Sequence, residues 1–581
     1  MRCIGSGGNG SVYEGKLSVD GRRTAVKRVK ARYDGNGYSS NVVKELFFSS
    51  SFSHGKIAKS NAIQFSGDYV ELTFDLAKMD LHTLIRERKA ARKLFTHHEV
   101  ARILSQVLDA LHYMHSLHIM HRDVKPANIL IMKTDSLDVC LSDLGLARNC
   151  HRVGTGDRWS DYALETSTPG YQAPELLART SDYDEKVDIW NIGLLAWELL
   201  TGSRMHSTFG FDVCNESIAN QILFYIDTVG GLTVKTFDAL SETLSVEHCN
   251  HLLQGVQMRK AAMVSGGTAS DHLQLSKMVL IQSLTRSNAI DVNLITPDFV
   301  DFLARCLTFD HRFRITASDA MCHPYMRLFA KASVPDHVIP IFEMQSLKRP
   351  EMHPQSDRRE VISGLYKILR ILRFSESSTI GILTMVDQVF DILPLQLRSQ
   401  IDEHKMAKWI YAITVCQVGQ KVYRDQPYNV KALLVTFDRV LYPTCTQLPL
   451  HGPLLDLIIR MIENLECELI KFMLENKINF YSETIYTRRY DAATFQEMVS
   501  IISENPDWLR RGDLSFFPTY YTLKYQGDQS ARKLKHTIGR NKSNFYFHLV
   551  DSKWTRISHV DFELFLKDPA ANISVGDLKR C

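Results

Sequence analysis

The chain has little of what would mark a secreted, membrane or nucleic-acid-bound protein. Its eleven cysteines are scattered, with no C-x-x-C pair and no Cys/His cluster at zinc spacing. That excludes a disulfide framework and a zinc module, and predicts free thiols in a reducing compartment. No basic-then-apolar leader opens the sequence, and no apolar run reaches the roughly twenty residues that cross a bilayer. The longest such run, 187–200, carries Asp188, Asn191 and Glu198 and reads as a buried helix. One-signed charge is also lacking: 581 residues carry a net charge of +4, without the basic cluster of a nucleic-acid binder. What is present is ordinary folded material, 45% hydrophobic and 23% charged. A chain this long exceeds one core and predicts roughly two to four domains. The expectation is an intracellular protein, cytoplasmic or nuclear, with no membrane or nucleic-acid partner.

The most informative stretch is 119–147, IMHRDVKPANILIMKTDSLDVCLSDLGLA. It reads apolar strand, polar turn, apolar strand, then a second polar turn opening on Asp143. His121-Arg122-Asp123 leads to Lys125 and Asn128 within one loop, and Asp143-Leu144-Gly145 follows twenty residues after Asp123. Each polar residue alone is an ordinary turn-former. Together, two acids and an amide suit phosphoryl transfer, which needs a base for a hydroxyl and oxygen ligands for Mg²⁺. The stretch resembles the catalytic and metal-binding loops of the eukaryotic-type protein kinases.

Earlier residues carry the same resemblance. In 4–13, IGSGGNGSVY, Gly5, Gly7, Gly10 and Val12 fit G-x-G-x-x-G-x-V. Alone, that pattern belongs to many glycine-rich turns. A dinucleotide fold would place a helix next, whereas SVYEGKL alternates like a strand and RRTAVKRVK follows as another. The resemblance implies that Ile4, Gly5, Ser6, Gly7, Gly8, Asn9, Gly10, Ser11 and Val12 fold over ATP. It puts Ala25 in the nucleotide pocket and Lys27 on the α- and β-phosphates. Glu45, on a helix within 39–52 opened by Ser40 or Asn41, becomes the partner of Lys27; a solvated surface acid is the alternative. Ser49 stands where the family carries an apolar residue, so this helix is expected to need outside help to dock. Phe74 falls at the back of the pocket, the backbone from Asp75 to Ala77 on adenine, Asp80 on the ribose and Leu130 beneath the adenine. The first glycine lies so near residue 1 that the true start is left open.

Within the catalytic loop the resemblance makes Asp123 the base, Lys125 the γ-phosphate cation, and Asn128 with Asp143 the Mg²⁺ ligands. A lysine at 125 resembles the Ser/Thr rather than the tyrosine kinases. Leu144 replaces a usual Phe and keeps its apolar contact. Ala173-Pro174-Glu175 closes an activation segment over 146–175. Glu175 is expected to pair with Arg314, Asp188 to prop the catalytic loop, and Thr168 to touch the base and its lysine. Arg122 calls for an anion, for which phosphorylated Thr166 or Ser167, then Ser160 or Tyr162, are candidates. Ala163 occupies the phosphosite of the cyclin-dependent group, with Glu165 or Asp161 as acidic stand-ins. Gln172 replaces an arginine of the proline-directed kinases, so a Ser/Thr-Pro preference is not expected. The stretch 220–233 resembles a segment of the cyclin-dependent group, and 265–270, SGGTAS, reads as loop.

In the second half, apolar spacing predicts helices over 358–372, 377–393, 404–422, 429–440 and 453–476. The last carries Leu455, Ile458, Ile462, Leu465, Leu469 and Phe472 on one stripe. Five helices in one run resemble a cyclin box. Arg358, Asp387, Ile410 and Lys421 fall near its landmarks, with Glu466 or Glu468 as partner for Lys421. Gln388 and Tyr423-Arg424 depart from it, and a generic helical interaction domain is the alternative. The tail contains strand-like PTYYTLKYQ, SNFYFHLV and HVDFELFL. Its Arg532, Lys533, Lys535, Arg540 and Lys542 read as a solvated face.

The expected fold class is α+β. A bilobal protein kinase fold over 1–330 is followed by a linker over 331–356, an all-α, cyclin-like helical domain over 357–490 and a small α+β tail over 491–581. The expected function is phosphorylation of protein substrates on Ser or Thr, with ATP and Mg²⁺ as cofactors, distantly like the cyclin-dependent group. An intramolecular contact in which the helical domain presses on the Glu45 helix would activate it in cis. The alternatives are a catalytically silent pseudokinase scaffold and a C-terminal substrate-docking module. A kinase joined to a cyclin-like region resembles arrangements in some large DNA viruses, which would make this a viral protein in a host cell.

Overall fold

A computed structural model describes residues 2–7, 10–16, 23–30, 32–33, 37–66, 69–117, 119–149, 168–178, 183–230, 232–233, 246–258, 263–264, 269–287, 289–329, 361, 364–369, 371–374, 376–392, 405–423, 427–445, 452–476, 538–540, 546–550 and 553–557. The chain divides into two compact units, the first of Met1–Cys150 and Tyr162–Gln345, the second chiefly of Ser346–Cys581.

The first unit begins with short alternating segments that can bury one face. Strands β1 (Arg2–Gly7), β2 (Gly10–Lys16), β3 (Arg23–Lys30), β4 (Ala62–Ser66) and β5 (Tyr69–Asp75) form an antiparallel sheet in the order β1-β2-β3-β5-β4. In β3, Thr24 and Val26 are buried while Ala25 and Lys27 look to the opposite face. Gly10 closes the β1–β2 turn at φ 121°, where a Cβ would run into the carbonyl oxygen of Arg28. Helix α1 (Ser40–Ser51) follows. Its cap is Ser39, whose hydroxyl accepts the Val42 amide at 3.4 Å, and not Ser40 or Asn41 as expected. Ser39 has the extended backbone that turns a hydroxyl back onto the first turn.

Helices dominate the rest of this unit: α2 (Leu81–Ala90), α3 (His97–Ser116), α4 (Lys186–Thr201), α5 (Ile218–Val229), α6 (Val246–Met258), α7 (Ala269–Arg286) and α8 (Pro297–Cys306). A capping box between Thr96 and Glu99 starts α3. Its stripe of Val100, Ile103, Leu104, Val107, Leu111 and Met114 is buried, as its period predicts. Every residue of α4 from Val187 to Thr201 is buried, so this apolar run is the unit's central helix. Arg314 grips Glu175 with two bonds of 2.6 and 3.0 Å, and its guanidinium lies 5.2 Å from the Trp190 ring centroid. Both partners are buried and their charges are matched, which is what makes burial tolerable. One loop reading needs correction: Ala269 and Ser270 open α7, a helix of 18 residues anchored by buried Leu280 and Leu284. Residues 265–268 lie outside the described residues.

In the second unit, α9 (Glu376–Ile392), α10 (Lys405–Tyr423), α11 (Val430–Cys445) and α12 (Gly452–Glu475) match the expected helices closely, although α11 runs on to Cys445. Of the expected first helix, 364–369 are described and helical. Lys421 of α10 bonds Glu466 of α12, and the two side chains are 2% and 1% exposed. Glu468, the other candidate, is exposed and pairs with Lys471 at 2.8 Å. Ile410 is buried, whereas Arg358 and the linker over 331–356 lie outside the described residues. Strands β8 (Ile538–Arg540), β9 (Tyr546–Val550) and β10 (Lys553–Ile557) form an antiparallel meander. PTYYTLKYQ and HVDFELFL lie outside the described residues. Among the described residues, no helix is long and apolar enough to cross a membrane.

Burial lowers the Lys421 pKa, and Glu466 opposes the fall. Replacing Glu466 with Gln removes that carboxylate from a dry site, which costs about 3–5 kcal/mol. The expected result is a lower denaturant midpoint for the helical unit, followed by far-UV dichroism of the full chain. An unshifted midpoint would show that the pair carries no stability.

Candidate active site

The register of the sheet decides which side chains share a face. Lys27 stands opposite Val12 on one side and Leu72 on the other, and Ala25 stands opposite Glu14 and Phe74. Directly opposed residues point the same way, so Val12, Ala25, Lys27 and Phe74 line one surface. From α1, Glu45 reaches this surface and accepts the Lys27 ammonium at 2.6 Å. Asp143 accepts the same ammonium at 3.1 Å, although 116 residues separate the two in the chain. The three side chains are 14%, 6% and 20% exposed, a nearly closed pocket of one cation and two anions. Burial pulls the Lys27 pKa down, but Glu45 and Asp143 outweigh it and raise it to about 12. Burial also raises the Glu45 carboxyl, against the pull of Lys27. The lysine's direction decides the state of the pair: Lys27 is charged at neutral pH.

The two loops meet because β6 (Ile129–Lys133) and β7 (Asp138–Leu141) form a hairpin with Ile129 opposite Leu141. That places Asn128 beside Ser142. The Asn128 carbonyl accepts the Ser142 amide at 2.8 Å and the Ser142 hydroxyl at 3.0 Å. His121 adds a bond from Nε2 to the Ser142 carbonyl at 3.0 Å. From beneath, the Asp188 carboxylate of α4 accepts the backbone amides of His121 and Arg122 at 2.8 and 2.7 Å, and His115 Nε2 at 2.9 Å. Arg122 holds φ 66° and Asp143 φ 63°, left-handed conformations that bear strain for residues other than glycine. Arg122 is fully buried and donates Nε to the Leu146 carbonyl at 2.9 Å. The anions expected to answer it, within 151–167, lie outside the described residues.

Asp123 is 4% exposed and both its oxygens are engaged. Lys125 Nζ and Asn128 Nδ2 each donate to Oδ2 at 2.8 Å, and the Thr168 hydroxyl donates to Oδ1 at 2.7 Å. Lys125 also donates to Thr168 Oγ1 at 2.6 Å, which closes a triangle. Asn128 Nδ2 further bonds the Asp123 carbonyl at 2.8 Å, so the amide nitrogen is saturated and Oδ1 is left as its outward acceptor. One carboxylate, Asp143, and one amide oxygen, Asn128, make a hard oxygen donor pair. Such a pair suits a Mg²⁺ ion whose remaining ligands are phosphates and water. No zinc-like cluster of His, Cys, Asp and Glu occurs among the described residues.

On sequence, the protein kinase domain model matches residues 1–326. The chain belongs to the protein kinase family. Cyclin-dependent kinase E-1 of Arabidopsis thaliana is 30% identical over 336 residues, 56% of this chain and 65% of that protein. Mitogen-activated protein kinase 19 of the same plant is 27% identical over 371 residues, 62% of this chain and 54% of its own length. Cell division control protein 2 homolog 2 of Trypanosoma brucei brucei is 29% identical over 322 residues, 55% and 80% of the two chains. The chain thus spans less than two thirds of the first two relatives.

Several kinase-family expectations meet different local physics. Asp80 was assigned to the ribose, but its Oδ1 accepts the Thr83 amide at 2.7 Å and its Oδ2 the Thr83 hydroxyl at 3.2 Å. Both oxygens cap α2, each with one bond, which leaves acceptor capacity on the carboxylate. Asp75 is exposed and accepts Asn61 Nδ2 at 2.9 Å, while Ala77 is half-buried in the connector that follows. Leu130, opposite Asp80, is half-exposed between buried Ile129 and Ile131, as a pocket floor would be. Gly5 and Gly7 pair with Val12 and Gly10, Ser6 faces Ser11 across the hairpin, and Ile4 is 45% exposed. Gly8 and Asn9 lie outside the described residues. Ser49 is buried and its hydroxyl has no partner among the described residues. Phe48 stacks on Phe52 at 5.5 Å, and Phe52 meets Tyr113 edge-on at 5.9 Å, apolar contacts at the end of the same helix. Sequence reasoning missed His115 as a holder of Asp188. Its signal was a polar residue inside the buried stripe of α3.

A lysine raised above its ordinary pKa stabilises the fold fully below its unfolded value, and that contribution drains as pH rises through about 12. Glu45→Gln removes one of the two anions and lowers the Lys27 pKa. Acylation of Lys27 by an amine reagent, read by peptide mass spectrometry against pH, is expected to shift to lower pH in the variant. An unmoved profile would mean that Glu45 does not hold the lysine charged.

Proposed function

We propose that the protein is a serine/threonine kinase that moves the γ-phosphate of Mg-ATP onto Ser or Thr hydroxyls of protein substrates. The observation that carries this is Asp123, a buried carboxylate fixed by Lys125, Asn128 and Thr168. A base must lie about 2.6–3.2 Å from the hydroxyl it serves. Thr168 already places a hydroxyl at 2.7 Å from Asp123. In this reading Asp123 orients the substrate hydroxyl and receives its proton. Lys125 balances charge on the transferred group, and Lys27, pinned by Glu45, holds the inner phosphates. Asn128 and Asp143 would hold Mg²⁺, which when bound neutralises phosphate charge. Catalysis is then mostly positioning and charge compensation by groups that do not need to move.

The second unit supports a cyclin-like reading through four matched helices and the buried Lys421–Glu466 pair. In this reading it activates the kinase unit in cis, where tethering supplies a high effective concentration.

Two measurements test these readings. Asp123→Asn is expected to lower phosphate transfer about 10²–10⁴-fold while a thermal shift with Mg-ATP persists. Nucleotide binding without transfer by the unmutated chain would turn the reading to a silent scaffold. A chain ending at residue 345, shown folded by its melting curve, is expected to transfer phosphate to a generic peptide at least tenfold more slowly than the full chain. Equal rates would discard activation in cis, and a loss confined to particular substrates would make the second unit a docking module.

A further inference from the structure

Thr168 and Pro169 form one wall of a cleft of about 460 Å³ whose other lining includes Arg204, His206, Phe211 and Asp212. The Thr168 hydroxyl bonds both Asp123 and Lys125, so the cleft begins one side chain away from the base. Its wall is firmly held. Gly170 adopts φ 81°, where a Cβ would run into the His206 ring, and its carbonyl accepts the Tyr225 hydroxyl at 3.3 Å. Next to it, the buried Tyr171 hydroxyl donates to Glu198, and its carbonyl accepts Asn191 Nδ2 at 2.5 Å.

The charges in this cleft are unequal in their freedom. Arg204 is half-buried and forms no ion pair and no side-chain hydrogen bond among the described residues. Its guanidinium lies 5.7 Å from the Tyr171 ring centroid, a contact that orients the fork without satisfying its donors. The nearby acids are hydrogen-bonded without losing their influence: the bonds to Asp212 hold its carboxyl below its usual range and so charged, and the Arg204 cation acts on Glu198. Asp212 accepts the Cys214 amide at 3.1 Å and Asn215 Nδ2 at 2.6 Å, and Glu198 is held by Tyr171. His206 is 8% exposed, and burial together with Arg204 lowers its pKa, so it is neutral at pH 7. The cleft therefore presents one cation and one carboxylate, Asp212, of which Arg204 alone has unused, coplanar donors, the group best matched to a carboxylate or a phosphate.

We propose that this cleft reads an acidic or phosphorylated side chain of the substrate, within about three residues of the acceptor hydroxyl, with Arg204 as its anchor. The reach follows from chain geometry: the acceptor must sit beside Asp123, and an extended peptide advances about 3.3 Å per residue. Substrate selection of this kind rests on the kinase reading above and names the substrate class for it.

The test uses the full chain, Mg-ATP and peptides with one serine among alanines. Glutamate, phosphoserine or lysine is placed singly at each of the three positions on either side. At one position, glutamate or phosphoserine is expected to raise kcat/KM about tenfold or more over lysine, mainly through KM, the size of one charge-assisted hydrogen bond. Arg204→Ala is expected to erase that ratio, and Arg204→Glu to reverse it in favour of lysine, a gain that misfolding cannot produce. Phosphoserine well above glutamate would support a previously phosphorylated substrate, and parity an acidic one. The proposal is overturned if the alanine peptide is phosphorylated but no position prefers an acid, or if the preference survives Arg204→Glu. If no peptide is phosphorylated, including the alanine one, the kinase reading itself fails, and this inference with it.

Discussion

The structure of the site depends on a carboxylate that no solvent reaches. Asp188 is 0% exposed, and burying an ion is tolerable only when donors replace its water. It finds three: the amides of His121 and Arg122 and the ring of His115. The dependence runs both ways. Arg122 sits at a positive φ, off any regular ladder, and needs an acceptor that helices and strands do not offer. Because α4 is buried along almost its whole length, this acceptor cannot drift. The backbone one residue before Asp123 is thus anchored to the core, and Asp123 inherits that rigidity.

A second constraint is electrostatic. Lys27, Glu45 and Asp143 together carry one positive and two negative charges, a net charge of −1 in a nearly dry pocket. Asp123 and Lys125 balance each other beside it. The residual charge falls on the Asp143 side, where a divalent cation would be welcome and an anion would not. The pairs Glu175–Arg314 and Lys421–Glu466 are different: each is neutral overall and closed. Such pairs specify how segments meet and leave nothing over for a ligand.

Contacts borne by scarce residue types at fixed spacing were legible in the sequence. Lys27 with Glu45, Glu175 with Arg314 and Thr168 with Asp123 all meet as their motifs require. Choices among equivalent neighbours were not. Ser39, Ser40 and Asn41 are all good caps, and only the backbone angles select Ser39. Asp80 has the right chemistry for a ribose, and its second task, capping the free amides of α2, shows only in the structure. Ser49 was legible as a polar gap on α1, whereas the Phe48–Phe52–Tyr113 contacts at the end of that helix show only in the fold. Glu466 could not be chosen over Glu468 from helical geometry alone. It falls four residues after Ile462 and three before Leu469, but Glu468 stands the same way between Leu465 and Phe472, so the choice needed the observed burial of Ile462, Leu469 and Ile470. The cleft around Arg204 had no such pattern, since its walls come from segments more than thirty residues apart.

In the kinase reading proposed above, the position of Thr168 ties recognition to chemistry. Its hydroxyl is shared by Asp123 and Lys125, and the same residue begins the cleft wall. A side chain seated in that cleft would fix the substrate within a few residues of the acceptor, leaving the reacting hydroxyl little freedom. Binding energy gathered away from the reacting atoms can then be expressed as orientation. That coupling needs a rigid wall, and the left-handed Gly170 with the buried Tyr171–Glu198 bond provides one. A looser wall would bind the same side chain and orient the hydroxyl less, so the fold's investment in this loop is understandable as positioning.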